Sequence, residues 1–179
     1  MKRVYGNLYI DTFKNFDASI NGELSDFIKN KIKLVINLTE CAQLDAGQRI
    51  ALICNKIKAF DLFNDPELVR IKQIPPNDRT VEEANSRSII REKRVKEMSQ
   101  YILDLSKVKE NILFVCNKNN VLSQLFVLII LKLRGKDDAV KDILGDSNIV
   151  TTNKNRNDIE KYLEKYINII YNEINEVSE

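Results

Sequence analysis

Apolar residues along the chain follow two rhythms, and the rhythms predict the elements. Residues 3–10, Arg-Val-Tyr-Gly-Asn-Leu-Tyr-Ile, read as paired short strands around Gly6-Asn7. Leu24, Phe27, Ile28 and Ile32 recur at helical spacing over 22–32, and the β-branched run 33–38 reads as a strand. Leu44, Ile50, Ile53, Cys54 and Ile57 suggest an amphipathic helix over 43–60, with Cys54 a core residue on its apolar face. Residues 67–74 alternate well enough for a strand, which Pro75-Pro76 stops. Residues 81–106 read as one long helix. Ile89, Ile90, Val95, Met98, Ile102 and Leu105 form its stripe, and Arg91, Glu92, Lys93, Arg94, Lys96 and Glu97 a solvated charged face.

The continuous run Ile112 to Val115 suits a strand covered on both faces. Val121 to Leu133 is apolar almost all round, which places that helix in the middle of a domain. Gly135 ends it, and a short helix over 136–144 ends at Gly145. After a loop at 151–156, Asn157 with Glu160 makes a capping-box-like start. Ile159, Leu163, Tyr166, Ile170, Ile174 and Val177 then repeat at three and four. The distal residues Tyr171, Ile174 and Val177 read first as core and second as a stripe that meets a partner.

Strand and helix alternate, so the fold class is α/β: a central, mainly parallel sheet flanked by helices, with an extended C-terminal helix. A chain of 179 residues suits one domain over 1–179, with the tail 157–178 packed on it or extending it. An apolar content of 44% and a charged content of 30% fit a soluble globular class. A net charge of +2 does not argue for nucleic acid. The run 121–131 is too short to span a bilayer. The first residues lack the apolar core of a signal peptide, so the expected setting is cytoplasmic or otherwise intracellular, a viral particle or infected cell included. Cys41, Cys54 and Cys116 show neither metal-ligand nor disulfide-framework spacing, and the chain has no histidine, so no metal and no cofactor is expected. Asn37-Leu38-Thr39 matches a glycosylation acceptor, read here as chance.

Cys116 carries the candidate chemistry. A cysteine at a strand end facing a helix N-terminus can be held as a thiolate, and an anion can dock there. The stretch 111–134 resembles the active-site segment of the cysteine-dependent dual-specificity protein phosphatases, whose signature is His-Cys, five residues, Arg, then Ser or Thr. Cys116 stands at the nucleophile and Ser123 at the hydroxyl after the arginine. Asn117, Lys118, Asn119, Asn120, Val121 and Leu122 fill the phosphate-loop positions. Leu122 stands where the arginine belongs, Val115 where the histidine does, Asn119 replaces the usual glycine, and Val121 replaces a small or hydroxyl residue. The resemblance extends over roughly residues 3–145. Leu8-Tyr9-Ile10-Asp11 is similar to the family's opening strand, although a generic edge strand reads equally well. Val35-Ile36-Asn37-Leu38 is similar to a strand of its central sheet.

The resemblance implies a dual-specificity phosphatase-like fold. It also implies a general acid on the loop after the strand read at 67–74, where Asp78 stands. The same aspartate reads equally as a helix-capping or turn residue. Leu122 cannot form the planar fork that clamps a phosphate dianion. One lost charge-stabilising donor typically costs ~10²–10³ in rate. The expectation is therefore a pseudophosphatase that binds or scaffolds protein, with a partner either phosphorylated or not, self-association through the C-terminal helix as a further route, and no nucleic acid or membrane. The alternative is a residual tyrosine or dual-specificity phosphatase using Cys116 as nucleophile, Asp78 as acid and Lys118 as partial replacement for the arginine. A third reading is an unrelated α/β protein in which Cys116 is a buried structural residue.

Overall fold

The computed structural model describes residues 1–22, 24–40, 42–117, 121–150 and 152–177. Cys41, Lys118, Asn119, Asn120 and Ser178 lie outside them, as does the side chain of Val177. The sheet has five strands in the order β1-β2-β5-β3-β4. These are β1 (Lys2–Tyr5), β2 (Leu8–Thr12), β3 (Ile32–Asn37), β4 (Lys58–Asp61) and β5 (Asn111–Cys116). β1 pairs antiparallel with β2 through the turn at Gly6, and the other pairings are parallel. The expected α/β class, with a mainly parallel sheet between helices and a long terminal helix, is what the chain adopts.

β5 is the middle strand, and its alternation divides the core. Ile112, Phe114 and Cys116 join a large cluster on one face, and Leu113 and Val115 a smaller one on the other. A strand buried on both faces needs apolar residues at every position, which explains the unbroken run. The helices of the large face are α5 (Val81–Glu97), α6 (Ser99–Lys107), α7 (Val121–Leu133), α8 (Asp137–Gly145) and α9 (Asn153–Val177). α7 lies beneath α6, α8 and α9, so Leu125 to Leu131 are all buried. The other face carries α1 (Phe13–Ile20), α2 (Ser25–Lys29) and α3 (Ala46–Cys54).

Several expectations are corrected. Residues 67–74 are not a strand: α4 spans Pro66–Gln73. Asp65 accepts from the Glu67 and Leu68 N–H groups (2.9 and 3.3 Å), Pro66 takes the first turn, and Leu68 and Ile71, three apart, are buried. The helix expected over 43–60 stops at Cys54, and β4 follows. Ile50 and Ile53 point outward at 61% and 70% exposure, and Cys54 is exposed rather than core. The helix expected over 22–32 is the short α2, ending before β3, while α1 was not anticipated.

The single helix expected over 81–106 breaks at Met98. There the buried Ser99 hydroxyl donates to the Val95 carbonyl (3.0 Å), a local bond that bends helices. Ile89 of its expected stripe is exposed. α9 begins at Asn153, four residues ahead of the expected start, because Thr152 caps it by accepting from the Asn155 N–H (3.1 Å). At its distal end Ile174 packs against the core while Tyr171 is 45% exposed. No helix among the described residues is long and apolar enough to cross a membrane.

Candidate functional site

Parallel strands bring their last residues to one edge. Thr12 sits level with Cys116, Asn37 with Val115, and Asn37 with Asp61. Beyond this carboxyl edge is where open α/β sheets take their ligands. Cys116 ends the central strand with its side chain on the α7 face, 2% exposed, and its Sγ lies 3.5 Å from the Asn117 carbonyl. Asn117 is a half-buried bend residue, and α7 begins at Val121. Val115, at the expected histidine position, completes the opposite apolar cluster beside Phe16, Phe27 and Leu52, so packing takes the place of hydrogen bonding there.

The first turn of α7 is apolar on one side and polar on the other. Val121 and Leu122 are half-buried. With Leu125, Arg91, Ile159 and Tyr162 they line a cavity of about 280 Å³ between α5, α7 and α9. Ser123 is fully buried, and its Oγ has no hydrogen-bond partner among the described residues. Gln124 donates to the Ile149 carbonyl (2.6 Å), while its Oε1 is left without a partner there.

Two polar assemblies at this edge were not legible in the sequence. The first is Glu40, just past β3, with a side chain only 1% exposed. Arg87 donates to its Oε2 from Nε and Nη2 (3.0 and 2.6 Å), and Arg91 Nε donates to Oε1. Burial pushes the Glu40 carboxyl up, but Arg91 and Arg87 outweigh it and hold the group below the usual carboxylate range. Burial in turn lowers Arg91, and Glu40 raises it further, so its guanidinium stays charged. The two arginines are four apart on one helix face. That spacing is the available signal; the charged face read from the sequence as solvated holds Arg91 but not Arg87.

The second assembly joins strand ends. Asn37 donates to Asp61 Oδ1 and to the Ala42 carbonyl (2.7 Å each), and accepts from the Thr39 N–H and hydroxyl (3.0 and 2.7 Å). Arg49 pairs with Asp61 on its other oxygen. Asn37 is 1% exposed with its amide fully engaged, so it is not presented as a glycosylation acceptor in this fold.

Asp78 is exposed and closes a single 3-10 turn, Pro76–Asp78, that follows a helix instead of a strand. The strand of that part of the chain is β4, and the loop leaving it carries Asp65, whose carboxylate caps α4. Thus Cys116, Leu122 and Ser123 lie on the strand-to-helix segment as expected. Asp78 loses the strand on which its assignment rested. Positions 118–120 of the loop are outside the described residues. No family model and no curated protein matches the chain.

Proposed function

We propose that the chain is a degenerate dual-specificity phosphatase-like protein, a pseudophosphatase that acts by binding protein without turnover. One observation carries the reading. The central strand delivers Cys116 to the turn before α7, yet the next groups in the chemistry are apolar. Leu122 lines a cavity whose one guanidinium, Arg91, is already engaged by Glu40. A phosphoryl group bound at Cys116 would need that fork free, because a planar bidentate donor is what matches its oxygens. Asn117 and Ser123 remain as polar relics. The partner in this reading is a protein, and the carboxyl edge is where it would be met.

The competing reading is residual hydrolysis with Cys116 as nucleophile. It draws on the Ser123 hydroxyl, buried at the first turn of α7 and unengaged among the described residues, which would steady a departing thiolate. In that case Asp65, on the loop after β4, fits the general-acid position better than Asp78 does.

Hydrolysis of a small aryl phosphate by the intact protein and by Leu122→Arg tests the proposal. The expected result is no turnover by the intact chain and measurable turnover once the guanidinium is restored. If Leu122→Arg does gain activity, Asp65→Asn and Asp78→Asn in that background identify the acid: loss of the aspartate that matters flattens the basic limb of the pH–rate profile and steepens the dependence on leaving-group pKa. Turnover by the intact chain that needs Asp65 would overturn the pseudophosphatase reading.

A further inference from the structure

The amino edge of the sheet, opposite Cys116, holds a second cavity of about 400 Å³. It is lined by Lys33, Lys56 and Lys58, with Leu34 and Val108 as apolar surface and Glu110 as its single carboxylate. A strand of six residues, roughly 17 Å, separates it from the cysteine. All three lysines are exposed, and none forms an ion pair among the described residues. Three ammonium groups line the cavity with one carboxylate, so the cavity carries an excess of positive charge.

One of these lysines, Lys56, occupies a backbone position that a side chain seldom fills. Lys56 lies in the left-handed region (φ 57) just after α3, where its N–H bonds the Ile53 carbonyl (2.9 Å) and the next N–H reaches back to Leu52 (2.9 Å). That is the helix-ending position that glycine fills at the least conformational cost. The end of α7 has the same pair of bonds, and there the position is Gly135 (φ 66). Lys31, just ahead of β3, repeats the departure (φ 50). Lys33 stands on an interior strand, where the register with β5 shifts between Ile32 and Leu34 and turns it outward. Guarding an open sheet edge accounts for lysine on β4, but not for Lys33 on an interior strand or for Lys56 in a left-handed turn.

We propose that this pocket binds a small ligand bearing a chain of phosphate groups. Ammonium groups are compact point charges suited to phosphate oxygens, and the cavity has the dimensions of a small-molecule site. A single-stranded polynucleotide is the weaker fit, because the described residues lining the pocket offer no aromatic ring for bases to stack on. The inference does not depend on the Cys116 reading.

Calorimetric titration with inorganic tripolyphosphate, and separately with adenosine triphosphate, tests it on the full chain. Both should bind, more weakly as salt rises. Tighter binding of the nucleotide would assign the Leu34–Val108 surface to a base, and equal binding would assign the phosphate chain alone. Lys33→Glu with Lys58→Glu should weaken binding by ~10-fold or more, while Lys161→Glu on α9 and Cys116→Ser leave it unchanged. Lys56→Gly supplies a readout that a purely structural role would not give: thermal stability holds or rises while affinity falls several-fold. Absence of binding, binding indifferent to the lysine variants, loss of binding in Cys116→Ser, or binding to single-stranded RNA alone would overturn the proposal.

Discussion

The loop after β3 and the turn after β5 leave neighbouring strands at the same edge of the sheet. In the first, buried polar groups find partners: Asn37 uses its whole amide, Asp61 is bonded by Asn37 and Arg49, and Glu40 accepts from two arginines. In the second, Val115 and Leu122 are apolar where the resemblance expects a histidine and an arginine, and Ser123 is buried with a hydroxyl that no described residue engages. Buried polar groups that are satisfied rigidify a structure, whereas those left over call for an explanation such as strain, a bound water or ion, or a chemical role. The difference teaches that the two regions serve different ends. The β3 loop is held by its own polar groups, and the segments on either side of residues 118–120 by apolar packing.

Breaking the satisfied side should cost most. Glu40→Ala leaves two largely buried guanidinium groups without their carboxylate, and the expected loss is ~3–5 kcal/mol in urea unfolding. Replacing Glu40, Arg87 and Arg91 together by Leu, Met and Met should recover most of that loss, since a packed apolar trio is often as stable as a buried ion cluster. Should the triple variant remain as unstable as Glu40→Ala, the network would be doing more than neutralising its own charges. Next, Asn37→Ala removes the amide that links Asp61 to Thr39, leaving Asp61 with Arg49 and Thr39 with the Ala42 carbonyl, at a cost of ~1–3 kcal/mol.

Acid should reach the same network. The Glu40 carboxyl titrates below its ordinary value of 4.5 in the folded chain. Its contribution is therefore fully present above the unfolded value and lost as pH falls through the folded one. Urea midpoints should hold down to about pH 5 and then decline, and the decline should be shallower in Glu40→Gln. The smallest effect belongs to the cysteine turn. Ser123→Ala removes a buried hydroxyl that has no partner among the described residues, so stability should stay level or rise by up to ~1 kcal/mol. A loss of more than that would mean the hydroxyl is engaged.

The parts of the fold that were legible in the sequence are those whose environment is uniform. β5 and α7 are covered on all sides, and the terminal helix has one long stripe, so local pattern and final burial agree. Legibility failed where the pattern was short or ran against burial. Residues 67–74 hold only Leu68 and Ile71 as buried positions, and alternation and helical spacing compete over so few residues. Lys-Ala-Phe-Asp offers one bulky apolar residue, which is too little to mark β4 as a strand. Ile50 and Ile53 face outward, so the stripe that placed Cys54 in the core was on the wrong side of α3. The Glu40 network is formed by residues 47 and 51 positions apart, a separation that no local pattern reports. At the site, Cys116, Leu122 and Ser123 were legible because they share one continuous strand-to-helix segment. The surroundings of Asp78 were not, because they depended on knowing which segment is the strand.

In the proposed reading, Cys116 ends β5 at a phosphatase-like site without turnover of phosphate. Its most direct test is release of aryl alcohol from a small aryl phosphate, followed under excess enzyme with the intact protein beside Cys116→Ser. The account predicts identical traces at the level of the uncatalysed reaction. A burst or steady release from the intact protein that disappears in Cys116→Ser would contradict it and make the chain an enzyme.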